Sequence, residues 1–223
     1  MKNYFVTGTD TEVGKTYVTC QMIAALQQNG YRAVGYKPVS AGCDFIDGQW
    51  LNEDGVALHK ATNLDLRIEQ VNPIVFKDPI APHIASSNES RPITVEDMVS
   101  GWHELARYTP EVMFTEGAGG WKLPLGGGHF MPELAQELNQ EVIIVVGMRL
   151  GCLNHALLTA QAILADGLSI KGWIANRVTE SMTEYEANLT TLDELMPAPR
   201  LAEIQYQQPL TMEQAVSLSQ VLV

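Results

Sequence analysis

The chain has 223 residues, 46% of them hydrophobic, and carries 26 acidic against 14 basic side chains, a formal net charge of -12. That is enough apolar material for the core of one sizeable domain and argues against disorder, while the charge disfavours a broad grip on nucleic acid or anionic lipid. The longest apolar run, Val142 to Met148, is far short of the ~20 residues that a membrane-spanning helix needs. The first residues lack the apolar stretch of a secretory leader, so a cytoplasmic protein is expected. Cys20, Cys43 and Cys152 are widely spaced, with no C-x-x-C pair, and read as reduced thiols rather than a disulfide or zinc framework.

Apolar segments of strand length alternate with helix-period segments along the chain, without repeats or low-complexity tracts, and one domain spanning residues 1–223 is expected. Tyr4 to Thr7 reads as a first strand. Lys15 to Asn29 follows as a helix with Val18, Met22, Ala25 and Leu26 on one stripe and Gly30 as its stop. Further strands are predicted at Arg32 to Lys37, Glu111 to Thr115, Glu141 to Val146, Ile170 to Ala175 and Arg200 to Ile204. Helices are predicted at Val95 to Tyr108, Pro132 to Leu138, His155 to Asp166 and Thr183 to Leu195, long enough to cross over a sheet between parallel neighbours. The unbroken run Val142 to Val146 has no polar alternation, so both of its faces should be covered. The fold class is three-layer α/β with a mostly parallel central sheet. Loops starting at Gly8, Pro38, Glu116, Gly147 and Asn176 should then meet at the carboxyl edge, where such sheets bind ligands.

The strongest local signal is Gly8-Thr9-Asp10-Thr11-Glu12-Val13-Gly14-Lys15-Thr16, placed between a strand and an amphipathic helix as a phosphate-binding loop requires. Backbone N–H groups and the positive helix end would face phosphate oxygens, the Lys15 ammonium would bridge them, and the Thr16 hydroxyl would serve Mg2+. Five residues separate Gly8 from Gly14 where four are usual, which makes the loop a variant. Glu12 would repel a phosphate; contact with a substrate proton or ammonium and plain exposure both remain open.

Mg2+ prefers oxygen ligands, and two carboxylates are placed to help. Glu116 ends a strand ahead of Gly117-Ala118-Gly119-Gly120, where backbone can approach a ligand closely. Asp54 opens a helix-like segment, where a helix N-cap role explains it equally well. Lys37, held extended by Pro38, would point its ammonium into the same cleft and neutralise charge during phosphoryl transfer.

Taken in one order with Lys37-Pro38-Val39, Glu116-Gly117-Ala118-Gly119-Gly120, Gly151-Cys152-Leu153-Asn154-His155 and Gly172-Trp173-Ile174-Ala175-Asn176, the phosphate loop makes the chain resemble the dethiobiotin synthetases over nearly its whole length. Asn52-Glu53-Asp54, Asn72-Pro73 and Pro82-His83 add support. The resemblance implies a P-loop NTPase-like fold, ATP and Mg2+ as cofactors, 7,8-diaminononanoate and CO2 as substrates, and a homodimer. One amine would capture CO2 as a carbamate, the carbamate would take the γ-phosphoryl group, and the second amine would displace phosphate to close a cyclic urea. It also implies nucleotide contacts from Glu12, Val13, Gly14, Lys15, Thr16, Tyr17, Gly117, Gly119 and Asn176, and metal ligation by Thr16, Asp54 and Glu116. Lys15 and Lys37 would be the catalytic cations, and Lys37, Ser40, Gly151, Cys152, Leu153 and Asn154 would meet substrate, the last four across the dimer interface.

Asn154 is a natural cap for the helix that follows it. Ser40 and Ala41 stand before Gly42 where the family often places its hydroxyl differently, and Gln205 stands where a proline often follows the last strand. Trp121 to His129, with Gly126, Gly127 and Gly128, reads as a flexible flap. Two competing readings are a nucleotide-driven switch ATPase and a non-catalytic homologue. The first is disfavoured because Asp10 occupies the place of the signature lysine of such loops. The second has no support, since the phosphate and metal side chains are all present.

Overall fold

Val142 to Val146 forms the spine of the molecule, with Val142, Ile144 and Val146 facing one apolar cluster and Ile143 and Val145 the other. Each such side chain, fully withdrawn from water, contributes about 1.5–3 kcal/mol of transfer free energy, which explains a strand without polar alternation. The computed structural model describes all residues, Met1–Val223.

In chain order the elements are β1 (Lys2–Gly8), α1 (Lys15–Gln28), β2 (Ala33–Tyr36), β3 (Val39–Ala41), β4 (Asp44–Ile46), β5 (Gln49–Leu51), α2 (Glu53–Ala61) and α3 (Ile68–Val71). There follow β6 (Ile74–Phe76), α4 (Pro82–Asn88), α5 (Val95–Ala106), β7 (Val112–Glu116), β8 (Pro124–Gly126), β9 (His129–Phe130) and α6 (Pro132–Glu137). The chain closes with β10 (Glu141–Met148), α7 (Cys152–Ala165), β11 (Ile170–Arg177), α8 (Tyr185–Leu195), β12 (Arg200–Ile204) and α9 (Met212–Leu222).

The six predicted strands form one sheet in the order β12-β11-β10-β1-β7-β2. Every pairing in it is parallel. One face packs on Val18, Met22, Ile23 and Leu26 of α1, Leu58 of α2 and Leu218 and Leu222 of α9. The other packs on Leu134 of α6, Ala156 and Ile163 of α7 and Leu189 and Leu192 of α8. The predicted three-layer arrangement is therefore the observed one. Gly30 and Gly167 sit just past α1 and α7 with φ of 84° and 80°, the left-handed backbone that favours glycine at a helix stop.

Between β2 and β7 lies an excursion that periodicity does not foretell, containing the parallel pair β3–β6 and the antiparallel hairpin β4–β5. It wraps the open edge of β2. The N–H groups of Ala33 and Gly35 donate to Asn63 Oδ1 and Thr62 Oγ1, each at 3.2 Å, and the N–H of Lys37 donates to the Val71 carbonyl at 2.8 Å. The segment expected to be a flexible flap, Trp121 to His129, carries the hairpin β8–β9, with Trp121 and Leu125 buried at its base and residues 126–130 exposed. Trp121 packs edge-on against Phe5, and its indole N–H donates to Asp166 at 2.7 Å.

Candidate active site

β1 delivers the chain to the carboxyl edge at Gly8, and α1 starts after Gly14, whose φ of +82° only glycine adopts without strain. Val13 is the wedge of this loop: it is buried, and a Cβ on Gly8 would approach its Cγ2 to 2.6 Å, while one on Gly147 of β10 would approach its Cγ1 to 2.8 Å. Close packing of Val13 between two strand ends therefore requires glycine at positions 8 and 147. From β11, Asn176 donates to the Val13 carbonyl at 2.8 Å, and its carboxamide fills the space beside Gly14.

The Lys15 ammonium donates to the Asp10 carbonyl at 3.2 Å. Burial, reinforced by the nearby Lys37 charge, lowers its pKa to about 8. The Asp10 carboxylate accepts from the N–H of Thr11 at 2.8 Å and from Arg149 at 2.8 Å, tying the loop to the segment ahead of α7.

Lys37 lies just beyond β2 and is 2% exposed, with all three ammonium protons placed: Glu116 Oε1 at 2.7 Å, Asp54 Oδ2 at 3.0 Å and the Gly117 carbonyl at 3.1 Å. Burial alone would lower its pKa, but the charges of Glu116 and Asp54 outweigh that and raise it, so Lys37 is a fixed cation. Burial pushes the Asp54 carboxyl up, and the Lys37 charge with the Thr16 hydroxyl overrides it and holds the group low.

Thr16 Oγ1 stands 2.7 Å from both Asp54 Oδ1 and Glu116 Oε1. A hydroxyl has one proton to give, so one of these oxygen contacts is left without a hydrogen. Glu116 is 0% exposed, and its Oε2 is buried without any partner. A hydroxyl and two carboxylates with surplus lone pairs form an all-oxygen donor set of the kind Mg2+ prefers, and the residues present fit that ion.

Lys15, Thr16, Lys37 and Asp54 line a cavity of about 740 Å3. Ala41, Pro79, Ile80, Ala81, Pro82 and Leu123 add apolar surface to its lining. Of the predicted site residues, Glu12, Gly14, Lys15, Thr16, Tyr17, Lys37, Ser40, Asp54 and Gly119 face this cavity. Glu116 and Gly117 adjoin it through Lys37, and Val13 and Asn176 brace the loop from behind. Glu12 is exposed with φ of 58°, at the cavity rim.

Gly151, Cys152, Leu153 and Asn154 are not among the residues lining it. The helix there begins at Cys152, earlier than predicted, because Gly151 takes φ of 96° at the N-cap; Asn154 lies within the first turn and does not cap it. Asp54 is likewise not the cap of α2. That role belongs to Asn52, which accepts from the Asp54 N–H at 3.1 Å and donates to the carbonyls of Ala41 and Gly42 at 3.2 and 3.0 Å. Asn52 and Asn72 enter the sequence reading only as parts of supporting strings, with no role given to either. The pattern of an Asn followed by two carboxylates is itself an N-cap signature and could have revealed the first.

The chain matches the family model described as an AAA domain over residues 2–214. It is 52% identical over 217 residues to the ATP-dependent dethiobiotin synthetase BioD of Alteromonas mediterranea, covering 93% of each chain. The chain belongs to the dethiobiotin synthetase family. Identity to the BioD 1 synthetase of Escherichia coli K12 is 44% over 203 residues, 91% of this chain and 90% of that one. Solved structures more distant than these synthetases share the fold. The septum site-determining protein MinD complexed with Mg-ADP from Pyrococcus horikoshii superposes with a TM-score of 0.56 at 16% identity, covering 99% of this chain and 92% of that one. A ParA family ATPase from Chlorobium tepidum gives 0.54 at 15%, covering 99% and 96%. The synthetase family thus shares the P-loop NTPase architecture of these proteins, and at such identities the likeness is one of fold.

Proposed function

We propose that the protein carboxylates and cyclises 7,8-diaminononanoate with CO2 to dethiobiotin, cleaving ATP to ADP and phosphate, as one domain spanning residues 1–223. The observation that carries this reading is the buried Lys37 ammonium held between Glu116 and Asp54 at a cavity lined both by charged groups and by the apolar side chains of Ala41, Ile80, Ala81 and Leu123. A triphosphate and an aliphatic diamine need those two environments side by side. No Ser–His or Cys–His nucleophile is required, because the substrate supplies its own.

In the reaction one amine adds to CO2 and loses a proton, giving a carbamate. A carbamate oxygen attacks the γ-phosphorus and ADP leaves. The second amine then attacks the carbamoyl carbon, phosphate leaves with the carbon–oxygen bond, and the ring closes with loss of a further proton. The protein orients and neutralises. Lys15 and the N–H groups from Val13 to Tyr17 hold the phosphates, and Lys37 faces the carbamate oxygens and the transferring phosphoryl group. Gly117 and Gly119 let backbone approach, and Asn176 meets the base. Thr16, Asp54 and Glu116 would hold Mg2+, which when bound supplies positive charge to the phosphate oxygens. Ser40 contacts the diamine, and Glu12 stands at the rim on the substrate side.

A homodimer belongs to the same proposal. Leu150 is 98% exposed, and Leu158 and Leu164 of α7 are 56% and 48% exposed. A second copy covering that surface would bring its Gly151 to Asn154 helix start to the far end of the diamine, where the first-turn N–H groups of Leu153 and Asn154 suit a carboxylate. A cytoplasmic location is proposed with it, where ATP is available. The test is ADP release by purified protein given ATP, Mg2+ and bicarbonate. Release that depends on the diamine is expected, whereas equal release without it refutes the reading and favours a switch ATPase.

A further inference from the structure

The hydrogen-bond polarity of Ser40 is fixed by its neighbours. Asn72, 4% exposed, reaches across from the end of α3 and bonds twice: its Nδ2 to the Lys37 carbonyl at 2.8 Å and its Oδ1 to Ser40 Oγ at 2.9 Å. A carbonyl can only accept, so the amide nitrogen must face Lys37 and the amide oxygen must face Ser40. The carboxamide cannot turn over. Gly55 of α2 packs against it so closely that any Cβ there would collide with it. Ser40 is 3% exposed, and its single proton is committed to Asn72. What it offers the cavity is an oxygen with lone pairs only. The Cys43 thiol lies beside the same hydroxyl, and burial raises its pKa, so it stays protonated and its sulfur is a far weaker acceptor of the Ser40 proton than the Asn72 amide oxygen.

We infer that Ser40 is an obligate acceptor that selects a substrate N–H, and that Asn72 is the positioning residue that makes it one. This rests on the reading of the cavity as the diamine site. A substrate amine, or the N–H of its carbamate, satisfies the Ser40 oxygen while the carbamate oxygens face Lys37. A carbonyl in place of that amine would set two acceptors against each other in a buried place, which costs more than a hydrogen bond merely lost. The site therefore rejects molecules that carry a ketone where the diamine carries one of its amines.

The test compares the diamine KM with the inhibition constants of the two amino-ketone regioisomers, in wild type, Ser40→Ala and Asn72→Ala, by ADP release. In wild type one regioisomer should bind at least tenfold more weakly than the diamine. Ser40→Ala should raise the diamine KM roughly fivefold to tenfold while that ketone weakens less than twofold, and the KM for ATP stays within twofold as a check on folding. Asn72→Ala keeps the hydroxyl but frees its proton, so the ketone should bind more tightly, which a merely structural role would not produce. A diamine-to-ketone ratio unchanged within twofold in both variants overturns the inference. Wild-type protein that releases no ADP in response to diamine refutes the functional reading itself, and this inference with it.

Discussion

Replacing Lys37 with alanine should damage stability and catalysis through separable causes. The Lys37 and Glu116 side chains are 3% and 0% exposed and meet at 2.7 Å. Removing one partner of such a pair leaves a buried, uncompensated charge and costs about 3–5 kcal/mol. The Thr16 hydroxyl can still serve Glu116, which points to the lower end, about 3 kcal/mol. For a chain of this length that corresponds to a fall in Tm of roughly 6–12 °C, at roughly 2–4 °C per kcal/mol. Urea unfolding of wild type, Lys37→Ala and the double variant Lys37→Met with Glu116→Gln would measure it. The double variant removes both charges and should recover most of the lost stability. On the proposed role of Lys37, turnover should fall about 100- to 1,000-fold in both, because the charge that would face the phosphoryl group is gone. A single variant within about 1 kcal/mol of wild type, or a double variant no more stable than the single, would refute the claim that this pair is a mutually dependent buried unit.

Gly14→Ala should weaken nucleotide binding and lower Tm, since a left-handed φ costs a non-glycine residue about 1–2 kcal/mol and the new methyl displaces the Asn176 carboxamide; titration with a nonhydrolysable ATP analogue checks it. Lys15, with its pKa lowered to about 8, is largely neutral at pH 9 and charged at pH 6.5. Phosphate favours the charged form, so ATP binding should take up protons at pH 9 and almost none at pH 6.5, read by calorimetry in buffers of different ionisation enthalpy. Uptake equal at both values would remove Lys15 from the phosphate contacts. Leu158→Asp on the outer face of α7 should shift sedimentation towards a monomer while leaving Tm near wild type. Chelating divalent cations with EDTA should abolish diamine-dependent ADP release, and added Mg2+ should restore it.

The six sheet strands and the phosphate loop were legible because their signals are local. Buried parallel strands must be apolar throughout, and a strand, a glycine loop and Gly-Lys-Thr in succession dictate where a helix starts. The strand order was not legible, because nothing within Tyr4 to Thr7 states that its neighbours lie at residues 112–116 and 141–145. Strands β3 to β6 are three residues each, too short for a period of two to register. Asn72 acts on Lys37 and Ser40 from more than thirty residues away, a relation that exists only after folding. The early start of α7 follows from the backbone of Gly151, and the sequence offered Asn154 as the more obvious cap.

The wrapping of β2 makes solubility and chemistry hostages of one another. Residues 52–72 bring Asp54 to the cavity and Asn72 to Lys37 and Ser40 beside it, and also satisfy the outward N–H row at Ala33, Gly35 and Lys37. Were that stretch to peel away, the molecule would not merely stop working. It would present a bare, sticky ribbon to other copies, of the kind that templates aggregation. Lesions in this stretch should therefore surface first as material lost to precipitation, before any kinetic defect is measured.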